Sequence, residues 1–309
     1  MELIVPILAA AVRSGTPILY ATLGEIVTEK SGVMNLGMEG VMLVGALTGF
    51  SVTYHGGSPW AGLVAAFAVG ALLCAVHAFL CVTLGANQVV CGLALTLFGT
   101  GASSLVGRGL VGETIEGLSA FPLPLLSRVP LLGPVLFCQD AMVYLSFFLV
   151  AFLWFFLFHT RPGLHLRAVG ESPAAATAAG LSVPAVRWAA TLCGGGLAAL
   201  GGAYLSVVNS HMWVEQMTSG RGWIAVALVI FGIWHPLRST LGAYLFGGVG
   251  ALQLRVQAGG TSIPAPLLLM LPYVLTIVVL TGISIKKGKG ILLGAPAALG
   301  LPFHREERE

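Results

Sequence analysis

Charge is what this sequence lacks. Lys and Arg number 15 and Asp and Glu 12, so that 9% of the 309 residues are charged while 57% are hydrophobic. Soluble domains carry about 25% charged residues, which excludes an ordinary water-facing surface. A net charge of +3 says little about partners, because where the charges sit matters more than their total. No stretch matches G-x-x-x-x-G-K-[ST]; Lys286 to Gly290 has lysines and glycines without that spacing or its hydroxyl residue. ATP bound through a P-loop on this chain is therefore excluded, and any ATP that drives it is hydrolysed by another polypeptide. Cysteine is sparse: Cys74, Cys81, Cys91, Cys138 and Cys193 show no C-x-x-C spacing, and packing explains them better than redox or metal chemistry. His77, His211 and His235 are scattered. There is no H-E-x-x-H, no Ser/His/Asp arrangement and no carboxylate pair suited to hydrolysis, so nothing supports an enzyme. The first residues, MELIVPILAA, have no basic region before their apolar part and make a poor signal peptide.

What the chain has is apolar runs. Mean hydropathy is +0.93, and stretches of about 20 apolar residues recur, each able to cross roughly 30 Å of hydrocarbon. A transmembrane β-barrel would need short alternating strands, whereas FLVAFLWFFLF and LLLMLPYVLTIVVL are continuous. The fold class expected is all-α: a polytopic transmembrane helical bundle in contact with membrane lipid. Candidate spans are 3–27, 33–50, 59–82, 87–107, 139–160, 187–208, 222–236, 238–254 and 265–285. Those at 33–50, 222–236 and 238–254 are short or broken by glycine and read as tilted, broken or re-entrant, giving about 8–10 spans. The 42 glycines follow no fixed period and suit close helix packing in a membrane. Residues 1–285 form one transmembrane domain with a cytoplasmic loop at 161–187, and 286–309 form a cytoplasmic tail.

Basic residues favour the cytoplasmic side. Arg161, Arg167 and Arg187 flank a loop whose acid is Glu171, and Lys286, Lys287 and Lys289 follow the last span. Both regions are placed inside, as is Arg238 in a short turn. Segment 108–138, with Glu113, Glu116 and four prolines, becomes an external cap, and counting back puts the N-terminus outside.

Three polar islands interrupt the apolar matrix. The first, TEKSGVMNLGMEG at 28–40, carries Glu29, Lys30, Asn35 and Glu39, with Glu25 just before it. An acid at a helix centre costs about 2.5–3.5 kcal/mol on insertion scales, so such groups pair, sit near the interface or face a cavity. Lys30 is expected to pair with Glu29 or Glu25. If 33–40 is helical, Asn35 and Glu39 share a face; Gly32, Gly37 and Gly40 argue for a break that lines a solute path, against the plainer reading of a cytoplasmic turn. The second island holds Asn87 and Gln88, whose amides suit neutral polar ligands, although Asn87 can equally be a helix cap. The third holds Arg221 and Trp223, able to hydrogen-bond and to stack on a flat ring, although Trp is also ordinary at a membrane interface.

The strongest water-facing feature lies between Arg161 and Arg187. Ser172 can cap a helix with Pro173 at its first position, Ala174, Ala175, Ala176 and Thr177 propagate it, and Gly180 closes it before Pro184. A helix of about two turns is marginal alone. It is either an ordered loop or a docking helix for a cytoplasmic partner, with Gly170 and Glu171 leading into it.

GEIVTEKSGVMNLGMEGVMLVGA, NQVVCGLALTLFGTGASSL, GLHLRAVGESPAAATAAGLSVPAVR and GRGWIAVALVIFGIWHPLRSTLGAYLFGG occur in that order over about residues 10–285. Together they resemble the permease of bacterial ABC importers for nucleosides and simple sugars, in the branched-chain amino acid and ribose permease superfamily. The glutamate of NLGMEG resembles the nucleoside branch, while His235 departs from the asparagine expected before Pro236. The resemblance implies a multi-pass subunit in the bacterial inner membrane that imports nucleosides, with a simple sugar such as ribose as the alternative. It implies a second permease subunit, related but different, a cytoplasmic ABC ATPase that grips residues 170–180, and an extracytoplasmic substrate-binding protein. This chain then binds no cofactor, ATP and Mg belong to the ATPase, and no nucleic-acid polymer is a partner. Asn35, Glu39, Asn87, Gln88, Arg221 and Trp223 would border the path. An ion-coupled secondary transporter, a passive channel and a membrane scaffold are the rival classes; the first predicts paired intramembrane acids and an inverted repeat, and no clear repeat is present.

Overall fold

A computed structural model describes residues 4–124, 126–130, 132–260, 264, 267–268, 270–287 and 294–303. Every candidate span meets a helix: α1 Ile4–Lys30, α2 Met38–Tyr54, α3 Pro59–Ala78, α4 Gln88–Gly107, α6 Ala141–His159, α9 Val183–Ala203, α10 Arg221–Phe231, α11 Pro236–Ala258 and α12 Leu271–Lys287. Short helices α5 Leu132–Leu136, α7 Arg161–Glu171 and α8 Pro173–Ala178 complete the set among the described residues. Part of the span expected at 265–285 lies outside the described residues, as does Lys289. α3 and α9 each run on through a π-helical stretch, Phe79–Thr83 and Tyr204–Asn209. Four continuous stretches, 59–83, 88–110, 141–159 and 183–209, are long and apolar enough to cross a membrane by length and composition.

α9 lies at the centre. Of its most apolar stretch 83% is buried, against 28–33% for the other three, so those three turn most of their surface outward. α1, α2 and α3 pack around α9, α11 and α10 pack on α1, and α4 packs on α2. Glycine permits this closeness: a side chain at Gly45 would strike the backbone of Ala199, and one at Gly202 the backbone of Met42. Small residues that let backbones touch replace the hydrophobic drive that lipid removes.

One end gathers the expected external cap. Arg13 of α1 donates to Gln139 Oε1 at 2.9 Å, the Tyr144 hydroxyl donates to the Phe121 carbonyl, and Ile115 N–H reaches the His211 carbonyl. Asp140 caps α6 and accepts from the Tyr204 hydroxyl at 2.9 Å. The opposite end gathers α7, α8 and the ends of α1 and α10. α1 starts at the first end and finishes at the second.

Two local expectations are corrected. Residues 33–37 are not helical and α2 begins at Met38, so Asn35 and Glu39 do not share a helix face. Arg161–Glu171, read as polar loop, is a helix: Thr160 Oγ1 accepts from Gly163 N–H and Pro162 stands in its first turn, where a missing N–H costs nothing. Residues 294–303, read as part of a tail, fold back onto the second end, with Ala298 N–H donating to Gly170 O and Gly300 N–H to Gly32 O.

Candidate functional site

The segment 34–37 is an unwound run of backbone inside the helical bundle, and unpaired backbone groups cannot be left there. Side chains from three helices supply the partners. Met34 N–H donates to Gln88 Oε1 at 2.7 Å, and the Met34 carbonyl faces His77 Nε2 at 3.0 Å. Asn35 N–H donates to Glu25 Oε1 at 2.9 Å. The Leu36 carbonyl accepts from Thr96 Oγ1 at 2.9 Å, and Gly37 N–H donates to Asn35 Oδ1 at 2.8 Å. Asn35 Nδ2 reaches Cys74 Sγ at 3.3 Å. Asn35 and Gln88 of the first two islands, with Glu25, are thus spent on a helix break, which is why so oily a chain carries them there.

Glu39 forms the next joint. Its Oε1 accepts from Thr218 Oγ1 at 2.6 Å and Gly220 N–H at 2.8 Å, and its Oε2 accepts from Gly222 N–H at 2.6 Å. α10 is only 11 residues long, about half the length needed to span. Its first N–H groups have no intrahelical acceptors, and a carboxylate is the partner that the positive end of a helix favours. Gly220 sits at φ +81, and a side chain on Gly222 would meet the Glu39 backbone, so any side chain at either position strains the joint.

Arg221 follows, its Nη1 donating to the carbonyls of Met217 at 3.0 Å and Thr218 at 3.1 Å. It borders a cleft of about 650 Å³ between α1, α10, α11 and α12, together with Ser14, Gln216, Gln253, Phe246 and Tyr273. Tyr273 hydroxyl donates to the Ser219 carbonyl at 3.2 Å. The lining mixes hydroxyls, amides, the Glu215 carboxylate, the Arg221 guanidinium and aromatic rings, a set that can hold a polar molecule with a flat ring.

Of the six expected path residues, Arg221 faces this cleft. Asn35, Glu39 and Gln88 are buried and bonded to protein, and Glu39 joins the cleft through the loop that it holds. Asn87 is exposed and caps α4 through Val90 N–H at 3.1 Å. Trp223 is 38% exposed and does not border the cleft. Lys30 does not pair as expected: its Nζ donates to the Gly294 carbonyl at 3.1 Å, while Glu29 takes the indole N–H of Trp234. His235 stacks on Phe158 at 5.1 Å. Glu25 and His77 stand out in sequence but not in this role; the residues missed are Thr96, whose signal is a polar group inside an apolar run, and Thr218 and Tyr273, which carry none.

At the second end α8 forms as expected. Ser172 Oγ accepts from Ala175 N–H at 3.3 Å and Gly180 takes φ +83. Glu171, Ser172, Ala174 and Ala175 are exposed, while Ala176 is buried beside Val169 and Val183. Gly170 presses its α-carbon side against the Lys30 carbonyl. Among the described residues no three His, Cys, Asp or Glu side chains converge as metal ligands.

The family described as "Branched-chain amino acid transport system / permease component" matches residues 7–280. The chain is 43% identical to a putative glucose ABC transporter permease protein of Haloferax volcanii, over 97% of this chain and 98% of that one. It is 33% identical to a guanosine ABC transporter permease protein of Bacillus subtilis, over 100% and 98%. It is 35% identical to a nucleoside ABC transporter permease protein of Lactococcus lactis subsp. cremoris, over 93% of each. No solved structure matches.

Proposed function

The chain belongs to the family of permease components of branched-chain amino acid transport systems, and on that premise we propose that it is the membrane subunit of an ATP-driven importer of nucleosides. The observation that carries this reading is likeness along nearly the whole chain to permeases named for guanosine and nucleosides. A second reading, import of glucose or a similar sugar, is favoured by the likeness to a putative glucose permease. Both use the same machinery. The chain spans the cytoplasmic membrane beside a second, related permease and is no enzyme itself; a cytoplasmic ABC ATPase hydrolyses ATP with Mg, and an extracytoplasmic protein delivers the solute.

Coupling runs through α8. Its exposed Ala174 and Ala175, with Glu171 and Ser172 beside them, are small enough to seat in a groove on the ATPase. ATP binding displaces the knob, and the helices behind it exchange an outward for an inward opening, a two-state element biased by nucleotide. Arg221 meets the solute in the cleft. Asn35, Glu39 and Gln88 hold the broken segments that border it, and Asn87 and Trp223 stand where a neighbouring subunit closes the path. None grips tightly, since a tight site traps its cargo.

The test is uptake by proteoliposomes holding this chain, its ATPase, the second permease and the binding protein. Guanosine enters on ATP addition, and glucose does not compete. Ala175→Trp abolishes uptake and solute-stimulated ATP hydrolysis while the chain still inserts. Uptake by this chain alone, driven by an ion gradient or by none, sinks the reading in favour of a secondary transporter or a channel. Glucose uptake without guanosine uptake selects the second reading.

A further inference from the structure

Residues 294–303 are held by partners from four directions. The Lys30 ammonium donates to the Gly294 carbonyl at 3.1 Å. Ala298 N–H donates to the Gly170 carbonyl at 2.9 Å, and Gly300 N–H to the Gly32 carbonyl at 3.1 Å. The Arg187 guanidinium, 1% exposed, donates to the Leu301 carbonyl at 3.1 Å and to the Ser31 carbonyl at 3.3 Å. Ala297 N–H reaches Glu171 Oε2 at 3.4 Å. Phe303 packs on the small cluster of Val169, Ala176 and Val183 beneath α8, while Ala295 and Leu299 pack on the main core.

The carbonyls concerned are those that helix ends leave open. Gly170 closes α7 and Gly32 follows α1, so the segment supplies donors at two helix ends at once. Gly32 stands at φ +90, where a side chain would meet the Arg187 guanidinium and the Ala298 carbonyl. A six-residue helix has little stiffness of its own. Besides its covalent links to α7 and α9, the knob reaches the inner end of α1 through this segment and the Gly170–Lys30 contact.

We propose that residues 294–303 form a coupling strap that fastens the α7–α8 knob to the inner ends of α1 and α9, so that a push on the knob arrives at those helices as one movement. The inference rests on the coupling role proposed above for α8. The strap residues touch no solute; they position the knob, with Arg187 as the anchor between strap and α9.

The test compares the wild-type complex with a chain ending at residue 293 and with Gly300→Pro, which removes one donor and forbids the φ of +78 found there. Both variants insert and co-purify with the ATPase, and ATP hydrolysis continues, while guanosine moved per ATP hydrolysed falls about tenfold, within the usual span of an allosteric coupling. Hydrogen exchange at α8 rises in Gly300→Pro, because the knob loses its hold on α1. An unchanged guanosine-to-ATP ratio in both variants overturns the strap, as does unchanged exchange at α8 in Gly300→Pro. If the truncated chain does not insert, Gly300→Pro decides through both readouts. Absence of ATP-driven uptake by the wild-type complex instead refutes the importer reading and is seen before any variant is made.

Discussion

Glu39 and Gly222, 183 positions apart in sequence, are joined by a hydrogen bond of 2.6 Å from the Gly222 N–H to the Glu39 carboxylate. The bond fixes the start of a half-length helix, α10, to the start of α2, and with the Thr218 and Gly220 donors it leaves that carboxylate satisfied.

Glu39→Ala leaves the donors of Thr218, Gly220 and Gly222 buried without an acceptor, so it destabilises by about 3 kcal/mol or more. Glu39→Gln, which keeps an acceptor but not the charge, costs less. Thermal unfolding in detergent ranks the three proteins; equal midpoints for wild type and Glu39→Ala contradict the joint.

Gly222→Ala forces a methyl group against the Glu39 backbone and costs about 1–3 kcal/mol through overpacking. Gly101→Ala, at a position in α4 with open space around it, has no such clash and relieves the helix cost of glycine, about 0.5–1 kcal/mol. The two substitutions therefore shift the unfolding midpoint in opposite directions, and a shift of the same sign in both refutes the packing assignment.

Gln88→Leu removes the acceptor of Met34 N–H and costs about 1–3 kcal/mol, the penalty of a buried orphan donor. Thr96→Val strands the Leu36 carbonyl and acts likewise, more mildly because a carbonyl tolerates the loss better. Hydrogen exchange at residues 34–37 is the sensitive readout: it rises in both variants, and unaltered protection there argues against these side chains as partners of the break.

Ser172→Ala deletes the cap of α8 and costs it about 1 kcal/mol. In a helix of six residues that is enough to fray it, so solute-stimulated ATP hydrolysis drops while unstimulated hydrolysis and the global unfolding midpoint hold. Ser172→Asp restores the cap and the stimulation; failure of that rescue shows that the hydroxyl acts otherwise.

The long helices were legible because a run of apolar residues needs no distant partner to declare itself. α8 was legible too, since its cap, its proline and its closing glycine are local signals. α7 was not: Arg161, His165 and Arg167 gave it the look of a loop, and its buried stripe of Leu166 and Val169 is too short to stand out. The glycines of 32–40 point to a break, but nothing local distinguishes protein partners for its polar residues from a solute or a turn. Their partners are 10 to 60 positions away, beyond any local pattern. The strap was invisible for the same reason, because Gly-Ala-Pro-Ala-Ala-Leu-Gly has no period, and only Lys30, Gly170 and Arg187 give it a shape.

The meeting of Gly45 with Ala199 and of Gly202 with Met42 has a mechanical outcome. Backbones in direct touch interlock like the teeth of a closed zip, and neither α2 nor α9 slides along the other without lifting off. Any change of shape in this subunit therefore leaves that pair as a single plank and bends where backbone is already irregular, at 33–37, at 210–220 and in the two π-helical stretches.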